Sequence, residues 1–259
     1  MVVGIEKFRE KLGAYSESYI IIGGTACDLI LSRLQYEPRA TVDIDMIVVV
    51  ENLTEDFLRS FWEFVREGGY HPGVRVNEQR ERKYAFYRFD NPSAAGYPAQ
   101  IELLSRHSEL LGAPRDVVVE PIPDDTELSS LSAIIMNDEV YAFTKAHSRM
   151  EAGVRVADSA ALVVLKASAY MNLMRDKQEG RHVNEKDLRK HRTDVARLLF
   201  AETWDEPVVV PEEIGATLEA FAEEVRTRSL QSIADALRVP LDVAEELIGG
   251  MRGIFDLRF

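Results

Sequence analysis

A chain of 259 residues suffices for one large domain or two modest ones, and 46% hydrophobic with 29% charged residues is the balance of an ordinary globular protein. Its 31 Lys and Arg against 44 Asp and Glu give a net charge of −13, which excludes a protein that coats nucleic acid and confines any such contact to a short local patch. The single Cys27 excludes an intramolecular disulfide and any zinc site built on several cysteines. No apolar run nears the roughly 18 residues of a membrane span, and MVVGIEKFREK carries no signal-peptide pattern, so the expected location is the cytoplasm.

Ser18–Ile22 reads as a short buried strand, and Thr25–Leu34 as a helix opened by glycines. Thr41–Val50 is rich in β-branched residues and strand-like; Leu53–Arg66 follows as an amphipathic helix carrying Phe57, Phe61, Phe64 and Val65. Tyr84–Phe89 and Gln100–Leu104 are further strands, parted by the Pro/Gly/Ala-rich loop from Asn91 to Pro98. From about Ala157 the texture turns helical: Ala157–Met174, Glu185–Phe200, Glu212–Arg226, then Leu230–Leu237 and Leu241–Met251 broken at Pro240. The expected architecture is α+β, a mixed sheet with helices over residues 1–150 and a helical domain over 151–259, with the boundary between 146 and 156.

The chemistry concentrates between Ile20 and Val50. A buried strand runs into Gly23-Gly24-Thr25 and a helix, where backbone N–H groups can approach a phosphate closely and Thr25 adds a hydroxyl; many turns use the same residues only to turn. Asp43 and Asp45 stand at i and i+2 of a strand and so emerge on one face with Ile44 behind them. Two carboxylates side by side repel, and a hard divalent cation relieves that repulsion. Glu102 sits alone in the apolar strand Gln100–Leu104 and wants a cation or a salt bridge. Beside Asp45 it would complete a metal site and orient or deprotonate a nucleophile. This order of Gly-Gly-Thr, helix, Asp-x-Asp strand and later lone acid resembles the DNA polymerase β nucleotidyltransferase superfamily, with a longer span than usual between Thr25 and Asp43.

In the helical half, Lys166 lies within an apolar helix, either snorkelling or held for an anion. Asp187, His191 and Asp194 share one helical face, while Val195, Leu198 and Leu199 line the other; spacing alone makes that polar face a solvated one. Arg39-Ala-Thr-Val-Asp43-Ile-Asp45, Phe61-Trp-Glu-Phe, Tyr87-Arg-Phe-Asp90, Ile101-Glu-Leu-Leu-Ser-Arg106, Ser129–Ile135, Leu165-Lys166-Ala-Ser-Ala and Lys190–Leu198 fall in order. That series resembles the AbiEii/AbiGii-type toxin nucleotidyltransferases, from about Tyr19 to Phe200. The resemblance implies a polymerase-β-like core; Mg²⁺, with Mn²⁺ as the alternative, on Asp43, Asp45 and Glu102; and an NTP substrate. It implies an RNA acceptor, a tRNA 3′ end above all, and an antitoxin partner. It implies that Lys166 binds nucleotide phosphates and that Asp194 is needed for activity within reach of Lys166 or the metal acids; Gly23, Gly24, Thr25, Arg39 and His191 complete the expected nucleotide site.

The basic strip Arg75, Arg80, Arg82 and Lys83 with Tyr84 and Tyr87 suits RNA. The acidic total suits a small hydroxyl acceptor, as in antibiotic-modifying nucleotidyltransferases, and a non-catalytic nucleotide-binding protein is the third reading. Ser232–Leu247 has a helix-turn-helix cadence, but Asp235, Asp242, Glu245 and Glu246 suit two packed helices without DNA.

Overall fold

The computed structural model describes residues 3–36, 41–72, 86–104 and 137–257. They fall into two units: Met1–Asp125 with Ser148–Asp158, and Thr126–His147 with Ser159–Phe259.

The first unit is built on a mixed sheet. In chain order its elements are α1 (Ile5–Leu12), β1 (Tyr19–Ile22), α2 (Gly23–Arg33), β2 (Asp43–Val48), α3 (Glu55–Gly68), β3 (His71–Pro72), β4 (Phe86–Asp90), β5 (Gln100–Leu104), and later β6 (Ser148–Glu151) and β7 (Val154–Ala157). These seven strands lie in the order β3-β4-β5-β2-β1-β7-β6. β2 pairs antiparallel with β1 and parallel with β5, and β7 returns parallel to β1.

Strand alternation gives the sheet two different faces. Register puts Tyr19, Ile21, Ile44, Met46, Ile101 and Phe89 on one of them. Rings cover that face: Phe8 of α1 meets Tyr19 edge-on, and Phe57 and Phe61 of α3 meet Tyr19 and Phe89. Thr54 caps α3 by accepting from the Phe57 N–H at 3.1 Å, which starts the helix at the turn where its aromatic stripe begins. The other face carries Ile20, Ile22, Asp43, Asp45, Ile47, Gln100, Glu102 and Arg88, with α2 packed against β1 and β2.

Every element among the second unit's described residues is a helix: α4 (Asp138–Ala146), α5 (Ser159–Gln178), α6 (Glu185–Ala201), α7 (Glu212–Arg228), α8 (Leu230–Leu237), α9 (Leu241–Gly249) and α10 (Met251–Ile254). Asn137 and Asn184 cap α4 and α6 through their side-chain oxygens. α5 is apolar nearly all round because it is the central helix, touching α4, α6 and α7.

Two differences from the sequence expectation have physical causes. The boundary at residue 150 falls inside the β6–β7 hairpin, which adds an edge to the first unit's sheet while α4 packs with α5. Ala152 and Gly153, both at positive φ, form its two-residue turn, without the Asn-Gly that marks such turns most clearly. The polar face expected on α6 is not solvated throughout: α6 is packed by α5 and also by α8 and α9, so His191 and Asp194 are buried.

Candidate active site

Register across three strands builds a row of charges in the first unit. Arg88 on β4 stands opposite Glu102 on β5, and Glu102 opposite Asp45 on β2; one step along, Gln100 stands opposite Asp43. All project from the same face, one strand spacing apart. Asp43 and Asp45 are half-buried, while Ile44 between them is wholly buried on the other face.

The start of α2 is fitted to this row. Gly23 has φ 69°, and a Cβ there would lie 2.1 Å from Asp45 Oδ2, so only glycine lets the carboxylate pack on the backbone at that point. Thr25, buried in the first turn, donates its hydroxyl to the Asp43 carbonyl. Thr41, ahead of β2, donates in return to the buried Asp28 of α2 at 2.7 Å. These two hydroxyls tie the helix and the strand together on either side of the aspartates. Asp28 and Thr41 escaped the sequence reading, since no local pattern pairs a helix acid with a threonine beyond an intervening loop.

Glu102 is buried, as its apolar strand requires, and it has found a salt bridge. Its Oε1 accepts from Arg88 Nε at 2.8 Å and from Gln100 Nε2 at 2.6 Å, with Arg88 Nη2 at 2.6 Å. Among the described residues no group of three or more His, Cys, Asp or Glu is placed to hold a metal ion. Asp43 and Asp45 bring the oxygen donors that a hard cation takes, while Glu102 is bonded to Arg88 and Gln100. The partner was legible in part: Arg88 lies in the Tyr87–Asp90 segment, at the alternation position that faces Glu102's row.

In the second unit Lys166 and Asp194 meet. Nζ lies 2.9 Å from Oδ2, and both side chains are about 95% buried. Lys166 is thus not snorkelling; it points from the interior of α5 to an acid on α6. His191, one turn before Asp194, is buried on the same stretch, and Asp187 is half-buried. Arg39, the strip Arg75, Arg80, Arg82 and Lys83 with Tyr84, and Ser129–Ile135 lie outside the described residues.

The model of a family described as nucleotidyl transferase AbiEii toxin, type IV TA system, matches residues 8–245. The chain belongs to the AbiEii family. The match takes in the Asp43–Asp45 pair, Glu102, Lys166 and Asp194, and runs past the Tyr19–Phe200 span of the resemblance at both ends, into α1 and α9. A comparison with curated proteins returned no match. No helix among the described residues of this AbiEii-family chain is long and apolar enough to cross a membrane.

Proposed function

We propose that this AbiEii-family chain moves a nucleoside monophosphate from an NTP to the hydroxyl of an RNA end, a tRNA 3′ end being the acceptor the family resemblance implies. The observation that carries the reading is the pairing of Asp43 and Asp45 on one face of β2 with side-chain-free Gly23 packed on Asp45. The order of sheet, glycine turn and Asp-x-Asp strand supports a polymerase-β-like first unit.

Asp43 and Asp45 would hold Mg²⁺ or Mn²⁺, and the bound ion would offset triphosphate charge and lower the pKa of the attacking hydroxyl. The first turn of α2 at Gly23, Gly24 and Thr25 offers backbone N–H groups to a phosphate. Glu102 takes the proton of the acceptor hydroxyl as its oxygen bonds to the α-phosphorus and the bond to the β-phosphate oxygen breaks, releasing pyrophosphate. Lys166 binds nucleotide phosphates, the role the resemblance implies, with Asp194 fixing its ammonium through their ion pair, and Arg39 and His191 are further candidates for the nucleotide site. A cognate antitoxin counters the activity, and the cytoplasm, where NTPs and RNA meet, is the place of action.

Incubation with labelled NTPs, Mg²⁺ and total RNA tests this: label on RNA supports it. The net charge of −13 favours a second reading, a small hydroxyl acceptor that needs no phosphate neutralisation. Label on a small molecule alone would establish that reading, and nucleotide binding without transfer would show a non-catalytic protein.

A further inference from the structure

The row Arg88–Glu102–Asp45 spans three adjacent strands, with the cation of the guanidinium at one end and the expected metal acids at the other. Arg88 brings two nitrogens, Nε at 2.8 Å and Nη2 at 2.6 Å, to the same Glu102 oxygen that Gln100 Nε2 reaches at 2.6 Å. The Glu102 side chain is only 8% exposed, so this grip forms away from water, where charge-assisted hydrogen bonds are strongest and breaking them strands a charge. A hard cation and a guanidinium compete for the same carboxylate oxygens.

We propose that Glu102 lies outside the cation's ligand set: Asp43 and Asp45 alone bind the ion, and Arg88 with Gln100 holds Glu102 as the fixed carboxylate that receives the acceptor's proton. This rests on the nucleotidyl-transfer reading above. Arg88 and Gln100 are positioning residues that act through Glu102. The guanidinium also offsets the repulsion between Glu102 and Asp45 one strand away, which keeps the acid row assembled before any ion arrives.

The test measures Mn²⁺ binding to the full chain by calorimetry, together with transfer kinetics on the labelled RNA acceptor. In the expected result D45N weakens Mn²⁺ by about tenfold or more, the scale of losing even an outer partner of a metal site. E102Q binds Mn²⁺ as the wild type does, yet kcat falls about a hundredfold or more, the share of a general base, with KM for NTP little changed. R88M loses kcat in the same way, and R88K recovers part of it because it keeps the charge without the fork. Should R88M fail to fold around a stranded Glu102, R88M/E102Q removes that charge and regains the melting transition without regaining kcat. E102Q weakening Mn²⁺ as much as D45N would put Glu102 among the ligands and overturn the proposal, as would full kcat in R88M. A wild type that binds no Mn²⁺, or a D45N that binds it unchanged, is a different failure: it removes the metal site of the proposed function itself.

Discussion

Two of the charged clusters among the described residues are built on opposite plans. In the first unit like charges are gathered: Asp43 and Asp45 are neighbours by strand alternation and stay half-exposed. In the second unit opposite charges are gathered, Lys166 and Asp194, taken from two helices and buried together. Like charges side by side repel one another, whereas a buried pair of opposite charges costs little while whole and much when halved.

Substitutions in both clusters sharpen or break this contrast. Asp43→Asn or Asp45→Asn should abolish transfer while the melting temperature in metal-free buffer holds or rises, because a repulsion is relieved. Unfolding of both by several degrees with activity intact would make the acids structural. Asp194→Ala should destabilise by about 3–5 kcal/mol in chemical denaturation, because it strands the Lys166 charge among apolar residues. Lys166→Met combined with Asp194→Leu should regain most of that stability and none of the transfer; a double variant as unstable as the single would show that the pair is not the source of the loss.

Gly23→Ala should cost about 1–2 kcal/mol for its left-handed backbone and also reduce transfer, since the new methyl meets Asp45 Oδ2. Stability lost with kcat unchanged would detach Gly23 from the site.

The smallest effect belongs to a surface counterpart of the buried pair. Lys11 bridges Glu63 at 3.0 Å and Glu67 at 2.8 Å between α1 and α3. Its pKa is raised by the hydrogen bonds to Glu67 and then Glu63, and that of Glu63 is lowered by Lys11. The Glu63 contribution is present above the ordinary carboxylate range and fades as pH falls through its depressed value; the Lys11 contribution fades as pH rises through its raised one. Both are present at neutral pH, but the bridge is solvent-exposed, so Lys11→Ala should shift the melting temperature barely there, and less still in high salt. A loss comparable to that of Asp194→Ala would erase the distinction between exposed and buried charge.

How much was readable in the chain follows the same divide. Asp43 and Asp45 are two residues apart, so one periodicity places them, and Glu102 announced itself as a charge in an apolar strand. Its answer, Arg88, depends on which strand pairs with β5 and in which register, and that is tertiary information. The Lys166–Asp194 contact joins two helices; spacing put Asp194 on a solvated face, and only the family resemblance placed it near Lys166. Helical periodicity separates one face from the other, but it is blind to the neighbouring helix α5, whose Lys166 meets Asp194 on the polar side. The β6–β7 hairpin stayed hidden because four-residue strands with a half-exposed Ser-Arg-Met-Glu edge carry little pattern.

That hairpin has a consequence for synthesis. The polypeptide leaves the first unit, enters the second for α4, returns for β6 and β7, and departs again for good. β1 is among the first strands to emerge from a ribosome, yet its outer neighbour, aligned through Ile21 and Val156, is translated only after α4. Until then the backbone N–H and C=O groups on that side of β1 have no strand to pair with, the condition that invites pairing with a stranger. The nascent chain would thus gain a finished sheet only after more than half its length has been made, and its acids would sit on an unfinished platform for all of that time.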